Sequence, residues 1–307
     1  MNSLVYFRRL KRLYLWFASS FVIYIVWNHS SDLVAAIEYL QRISFKQVIL
    51  CLSLAVFSYI CRSLRWLGYM RLKEHKASTK HHILIYLSGF AFTASPGKVG
   101  ELMRGTHLDE LGVPFRYTFL SFVSERLFDV IIVLSLGSYF LIDNFNFSLL
   151  LVTVFLLPFV LSPALKFLFN FEKSRLWHES INILSHLWLL PVVLKSYFLT
   201  LLAWILQGVI LFIMLRGFGI ETTIPIAISI YCLSLLIGAA SLIPSGIGVT
   251  EAGMVWLLIQ IGAESDIAII AALTTRMLTL YPAMLIGLVC AFVLKNRKIE
   301  YLISSRH

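Results

Sequence analysis

Two matching sets of glycine, glutamate and arginine, each attached to a helix-breaking turn, stand in a background almost free of charge. The first reads Pro96-Gly97-Lys98-Val99-Gly100-Glu101, followed by Gly112 and Arg126. The second reads Pro244-Ser245-Gly246-Ile247-Gly248-Val249-Thr250-Glu251, followed by Gly262 and Arg276. Glutamate, the later glycine and arginine recur at an offset of 150 residues, and proline and the glycine before the glutamate at 148. These residue types suit anion capture. A guanidinium presents a rigid fork of donors to phosphate or carboxylate, and a helix that restarts after a glycine turn offers free N–H groups at its positive dipole end. Gly97, Gly100, Gly246 and Gly248 would let backbone approach closely, while Glu101 and Glu251 could cap the returning helices, pair with Arg126 or Arg276 when the site is empty, or carry a proton. No nucleotide-binding loop, metal-binding acid pair or nucleophile with its base accompanies them, so an enzyme is not expected.

The elements that must position these residues follow from composition. Hydrophobic residues make up 59% of the 307 and charged residues 14%, with mean hydropathy +0.84, against about 45–50% and about 25% in a soluble domain. The chain is therefore expected to be an all-α polytopic membrane protein, one integral domain over 1–307. Apolar runs long enough to cross, about 20 residues each, lie near 12–28, 46–66, 116–142, 147–169, 194–215 and 267–294. Two further runs, near 83–95 and 224–243, lead into the Pro/Gly turns and are followed by segments near 101–111 and 251–262 that are too brief to cross. They are predicted as re-entrant hairpins, which need protein or water to satisfy the freed backbone. A stretch near 172–191 is expected to lie along the interface.

Basic residues test that layout. With the N-terminus in the cytoplasm, Arg8, Arg9, Lys11 and Arg12, then Arg71, Lys73, Lys76 and Lys80, then Lys166, Lys173, Arg175 and Lys195, and finally Lys295, Arg297, Lys298 and Arg306 all fall on one side. The opposite loops hold only Arg42, Lys46 and Arg216, in accord with the positive-inside rule. Three crossings separate the hairpins, so they enter from opposite sides. The chain thus divides into inverted repeats over 10–143 and 147–295, with hairpins at 83–111 and 224–262, an architecture suited to exposing one site to each side in turn. The expected location is the cytoplasmic (inner) membrane, with both termini cytoplasmic.

Charge at the bilayer centre costs about 2.5–3.5 kcal/mol per residue, so Glu125, Arg126, Asp129 and Arg276 must face inward. Glu125 and Asp129 share a helical face, and Arg126 and Asp129 can pair. The helix directions place Arg126 in the cytoplasmic half and Arg276 in the outer half. Arg104, one turn after Glu101, could pair with it or touch a headgroup; Met254 stands at the matching position of the second half, as Thr279 does for Asp129. Lys98 is either a site cation or an interface charge. His81, His82 and His107 lack metal-ligand spacing and suit the interface, and the single cysteines suit core packing. No metal or cofactor is expected. The net charge of +10, clustered at helix ends, points to anionic lipid headgroups rather than nucleic acid.

With both motifs quoted, the run from Pro96 to Arg104 with Glu125-Arg126-Leu127-Phe128-Asp129, and the run from Pro244 to Glu251 with Arg276, resemble the lysylphosphatidylglycerol synthase transmembrane-region family over about 10–295. That resemblance implies lipid translocation: the fused synthases flip aminoacylated phosphatidylglycerol in this domain, and stand-alone members resemble carriers of glycan-linked or other lipids. These 307 residues contain no soluble aminoacyl-transferase stretch, so lysyl-lipid synthesis is not expected. The leading expectation is a flippase passing an anionic, phosphate-bearing headgroup between Arg126 and Arg276. The alternatives are a proton- or ion-coupled small-solute transporter using Glu101, Glu251 and Asp129, and an intramembrane lipid-sugar transferase. Candidate partners are a membrane lipid with an anionic headgroup, a second copy of the chain, and a separately encoded lipid- or glycan-modifying enzyme.

Overall fold

The computed structural model describes residues 20, 43–73, 78–93, 95–109, 111–141, 156 and 175–304, with backbone only at 96–99, 141, 175, 244 and 296–304. The expected crossings near 12–28 and 147–169 lie outside the described residues, apart from Ser20 and Leu156. Everything described is helix, turn or connecting segment, with no strand among the described residues.

Three stretches are long and apolar enough to span a bilayer. These are α1 (Phe45–Met70), α6 (Leu190–Gly217) and the joined pair α9 (Ser265–Thr279) and α10 (Tyr281–Ser304), the last apolar to Lys295. The sequence predicts one crossing at 267–294, and the structure gives one apolar stretch there, Ser265–Lys295, distorted at Leu280 (φ −94°, ψ −52°). Pro282, the second residue of α10, supplies no N–H to continue the ladder across that point. Helix α4 (Phe115–Gly137) is 23 residues long, but Arg116, Glu125, Arg126 and Asp129 set it apart from the three apolar spans.

The first hairpin comprises α2 (Thr79–Ser88), which tightens into a 3₁₀ turn at Gly89–Phe92, a second 3₁₀ segment at Pro96–Arg104, and the short α3 (Gly105–Asp109). The second comprises α7 (Ile224–Ala240), a 3₁₀ turn at Pro244–Gly246, and α8 (Val249–Gln260). The helices α2 and α7 fall on the predicted apolar runs, and the segments after the two turns differ from one another. The chain after Pro244 restarts as an α-helix two residues before Glu251, whereas the chain after Pro96 stays 3₁₀ past Glu101 and becomes α only at Gly105. Glu101 therefore does not cap an α-helix.

Helix α1 packs along α6, α7 is held by α4, α6 and α8, and α10 lies across α2 and its 3₁₀ extension. Two close approaches need glycine. A Cβ on Gly287 would fall 2.1 Å from the Ala91 nitrogen, and one on Gly238 would fall 1.9 Å from Thr250 Oγ1, so bulk at either would push α10 off the first hairpin or open the second. The hairpin tips meet: Pro96–Arg104 packs on Pro244–Gly246, and Ser245 Oγ donates to the Thr93 carbonyl at 3.1 Å. Aromatic stacking of Phe128 on Trp188 at 5.1 Å helps seat α4 in the core. Outward faces are apolar, with Phe45, Phe198 and Val289 all more than 60% exposed, which suits contact with hydrocarbon. The expected interfacial stretch contains an amphipathic helix, α5 (Arg175–Leu187). Ile181 and Leu187 face the protein, Leu176 and Trp177 face out, and Glu179 pairs with Arg116 at the start of α4. All four cysteines are free and buried, as core packing requires.

Candidate functional site

A cavity of about 310 Å³ opens between the two hairpin tips and the long helices. Its polar wall comprises Arg62 of α1, Arg126 and Asp129 of α4, Gln207 of α6 and Arg276 of α9, with Thr93 and Ser245 from the tips. Phe90, Val133, Leu235 and Ile243 are among its apolar lining. The two arginines singled out from the repeat thus share one chamber.

Each arginine is tied to the hairpin of its own half. Arg126 Nη2 lies 3.0 Å from Asp129 Oδ2 and 3.8 Å from Glu101 Oε2, and Glu101 Oε1 accepts the Thr93 hydroxyl at 3.0 Å. Arg276 Nε donates to Glu251 Oε1 at 2.8 Å, and its Nη2 donates to the Ser245 carbonyl at 3.1 Å. Glu251 uses its other oxygen to accept the Gly248 N–H at 2.7 Å, the N3-to-N-cap half of a capping box. Capping and pairing, set out above as two readings of Glu251, coexist on one carboxylate.

The glycines differ in their reasons. A Cβ on Gly100 would meet Phe92 Cβ at 2.7 Å, and one on Gly246 would meet Gly238 Cα at 2.7 Å, so both serve close approach. Gly248 has open space around it and is required instead by its positive φ of 82°. Gly97 lies in the 3₁₀ segment Pro96–Arg104.

Behind the cavity lies a fully buried polar layer. Arg104 Nη2 lies 2.5 Å from Glu125 Oε2, and its guanidinium is stacked over Trp66 at 4.0 Å. Arg104, offered above as a partner of Glu101 or of a headgroup, instead crosses to α4: Glu125 and the Trp66 face take its guanidinium, while Glu101 turns to Arg126 and Thr93. Arg65 lies 3.6 Å from Glu125 and donates to Asp129 Oδ1 at 2.9 Å and to Thr200 Oγ1 at 2.6 Å. Glu125 and Asp129, predicted to share a face, do so by holding this arginine. His82, expected at the interface, is buried.

A family model of the lysylphosphatidylglycerol synthase TM region matches residues 13–287. The chain belongs to that family. Two archaeal relatives of the family member are UPF0104 membrane proteins. One, from Methanocaldococcus jannaschii, is 20% identical over 286 aligned positions that cover 81% of this chain and 85% of the relative. The other, from Methanothermobacter thermautotrophicus, is 30% identical over 91 residues, 30% of this chain and 27% of its own length.

Sequence reasoning missed Arg62 and Arg65, although the signal was present. Two arginines three residues apart inside the run 46–66 carry the same insertion cost that marked Arg126 and Arg276 as inward-facing. It also missed Gln207, Trp204 and Tyr231, uncharged residues with nothing in a single sequence to distinguish them from packing. Tyr231 OH donates to Gln207 Oε1 at 2.9 Å, and Trp204 Nε1 donates to Asp129 Oδ1 at 3.2 Å.

Proposed function

We propose that this family member is a lipid flippase: a phosphate-bearing headgroup enters the chamber between the hairpin tips while its acyl tails stay in the bilayer. The observation that carries the reading is that guanidiniums from both repeats, together with residues of both tips, line one chamber whose remaining wall is part polar and part apolar. Its volume is at the low end of small-molecule pockets, roughly 300–1,000 Å³, which suits a headgroup and not a whole diacyl lipid. Arg126 and Arg276 are held by carboxylates, so an arriving phosphate exchanges one charge-assisted partner for another rather than meeting a bare cation. In this reading the six crossings and two re-entrant hairpins form an inverted repeat in the cytoplasmic membrane with both termini inside, and the two hairpins gate opposite leaflets.

The test is translocation of labelled phosphatidylglycerol in proteoliposomes. Arg126→Ala and Arg276→Ala each lower the rate by tenfold or more at equal reconstitution. Wild-type rates in both variants would rule the mechanism out. Asp129, Glu101 and Glu251 around the same chamber favour, as a second reading, proton-coupled transport of a small solute; uptake of a soluble anion driven by a pH gradient, with no lipid movement, would select it.

A further inference from the structure

The charges around the chamber do not balance. Five arginines, Arg62, Arg65, Arg104, Arg126 and Arg276, accompany four carboxylates, Glu101, Glu125, Asp129 and Glu251, among the described residues. Arg104 and Arg65 take Glu125, Arg65 and Arg126 take Asp129, Arg126 also reaches Glu101, and Arg276 takes Glu251. Arg62 is the one left over. It is 6% exposed, its guanidinium lies 4.2 Å above the Trp204 ring, and its Nη2 donates to the neutral Gln207 Oε1 at 3.4 Å. Its buried Nε has no hydrogen-bond partner, and among the described residues no carboxylate pairs with it. The nearby carboxylate of the cavity wall, Asp129, is already engaged by Arg65, Arg126 and Trp204.

Arginine cannot shed its proton to escape this position, and a buried unpaired charge is costly. The chamber onto which it opens supplies the space for a counter-charge. We infer that Arg62 is the anchor for a single negative charge and that the ligand class is a lipid phosphodiester, which carries one such charge at neutral pH. This rests on the translocation reading and narrows its substrate. Arg126 and Arg276 guide the headgroup past the tips by partner exchange; Arg62, with Gln207 and Tyr231 beside it, is where the phosphodiester rests. A headgroup without charge leaves Arg62 unmatched and binds poorly.

The experiment titrates phosphatidylglycerol into the detergent-solubilised full chain and follows tryptophan fluorescence, with an uncharged galactosyl diacylglycerol as the comparison lipid. Arg62→Gln weakens phosphatidylglycerol binding by tenfold or more and leaves the galactolipid unchanged. Because loss of a buried guanidinium could also loosen the fold, Gln207→Glu provides an independent arm: it keeps Arg62 and supplies a carboxylate beside it, so the chain stays as heat-stable as wild type while phosphatidylglycerol affinity falls by the same factor. Wild-type affinity in a folded Gln207→Glu protein overturns the inference, whatever the transport assay shows. Tight, Arg62-dependent binding with no headgroup movement in proteoliposomes upholds it and removes the flippase reading instead. Competition by soluble glycerophosphoglycerol shows that the diester alone suffices, and tight lipid binding without such competition shows that the tails contribute; the inference requires charge dependence in either case.

Discussion

The two halves share a plan and differ in chemistry. At the offset of 150, Glu101 corresponds to Glu251 and Arg126 to Arg276, and each pair meets within its own half. The layer behind them is not repeated. Arg65, Arg104 and Glu125 of the first half correspond to Leu215, Met254 and Thr275 of the second, all buried. Where the first half carries three buried charges the matching positions of the second carry none, a difference of the kind that leaves a buried ion cluster's stability intact when made as a set and damages it when made singly. The lesson is that the glutamate and arginine at the tips belong to what the halves do in common. The layer behind them tells the two ends of the chamber apart.

The largest effect comes from breaking that layer one residue at a time. Arg104→Met, which copies the second half into the first, leaves Glu125 with only the longer contact to Arg65 and costs about 3–5 kcal/mol, measured by reversible unfolding in mixed micelles. Adding Glu125→Thr recovers part of the loss, so the double variant is less damaged than the sum of its singles. Additive losses would mean that the layer does not act as a unit.

A smaller asymmetry lies at the tips. Glu251→Gln removes the carboxylate contact at 2.8 Å from Arg276 and costs about 1.5–3 kcal/mol, the range for a hydrogen bond to a charged group. Glu101→Gln costs less, about 0.5–1.5 kcal/mol, because Arg126 keeps Asp129 at 3.0 Å and the amide can still accept from Thr93. Thermal unfolding of the two variants side by side gives the order; a reversal would show that Glu101, and not Asp129, is the main partner of Arg126.

Long apolar runs and the inward-facing charges were legible in the sequence because hydropathy and rare charges stand out in an apolar chain. The described spans, and the apolar helices that lead into the two Pro/Gly turns, fall within a few residues of the expected runs; the Arg126–Asp129 contact follows from spacing, and the Glu251–Arg276 pair is one of the roles left open for Glu251. What could not be read depends on distance in space. Arg104 reaches Glu125 only because the segment Pro96–Arg104 packs against α4, and propensity does not announce a 3₁₀ run of nine residues. Gln207 becomes a neighbour of Arg62 only when α1 lies on α6. Arg62 itself was legible in principle, since its burial cost is the argument that identified Arg276.

The smallest difference between the halves is expected at the element in which they are equal. Each returning segment ends in the same closure: the Gly112 N–H donates to Asp109 and the Val113 N–H to Leu108, and 150 residues later the Gly262 N–H donates to Ile259 and the Ala263 N–H to Leu258. These bonds form the Schellman arrangement, which needs a left-handed residue at its turn. Gly112 and Gly262 supply it with φ of 83° and 89°, each with open space around it. An added Cβ therefore meets no neighbour, and only the backbone conformation is penalised, by about 1–2 kcal/mol. Gly112→Ala and Gly262→Ala should lower stability by the same amount within that range, and should leave the affinity for phosphatidylglycerol unchanged because neither residue lines the chamber. Matched losses in thermal unfolding mark the turns as a shared structural stop. Unequal losses would mean that the second α-helix, twelve residues long in α8 against five in α3, changes how much strain its end can absorb, and the asymmetry of the halves would then extend from their charges to their backbone.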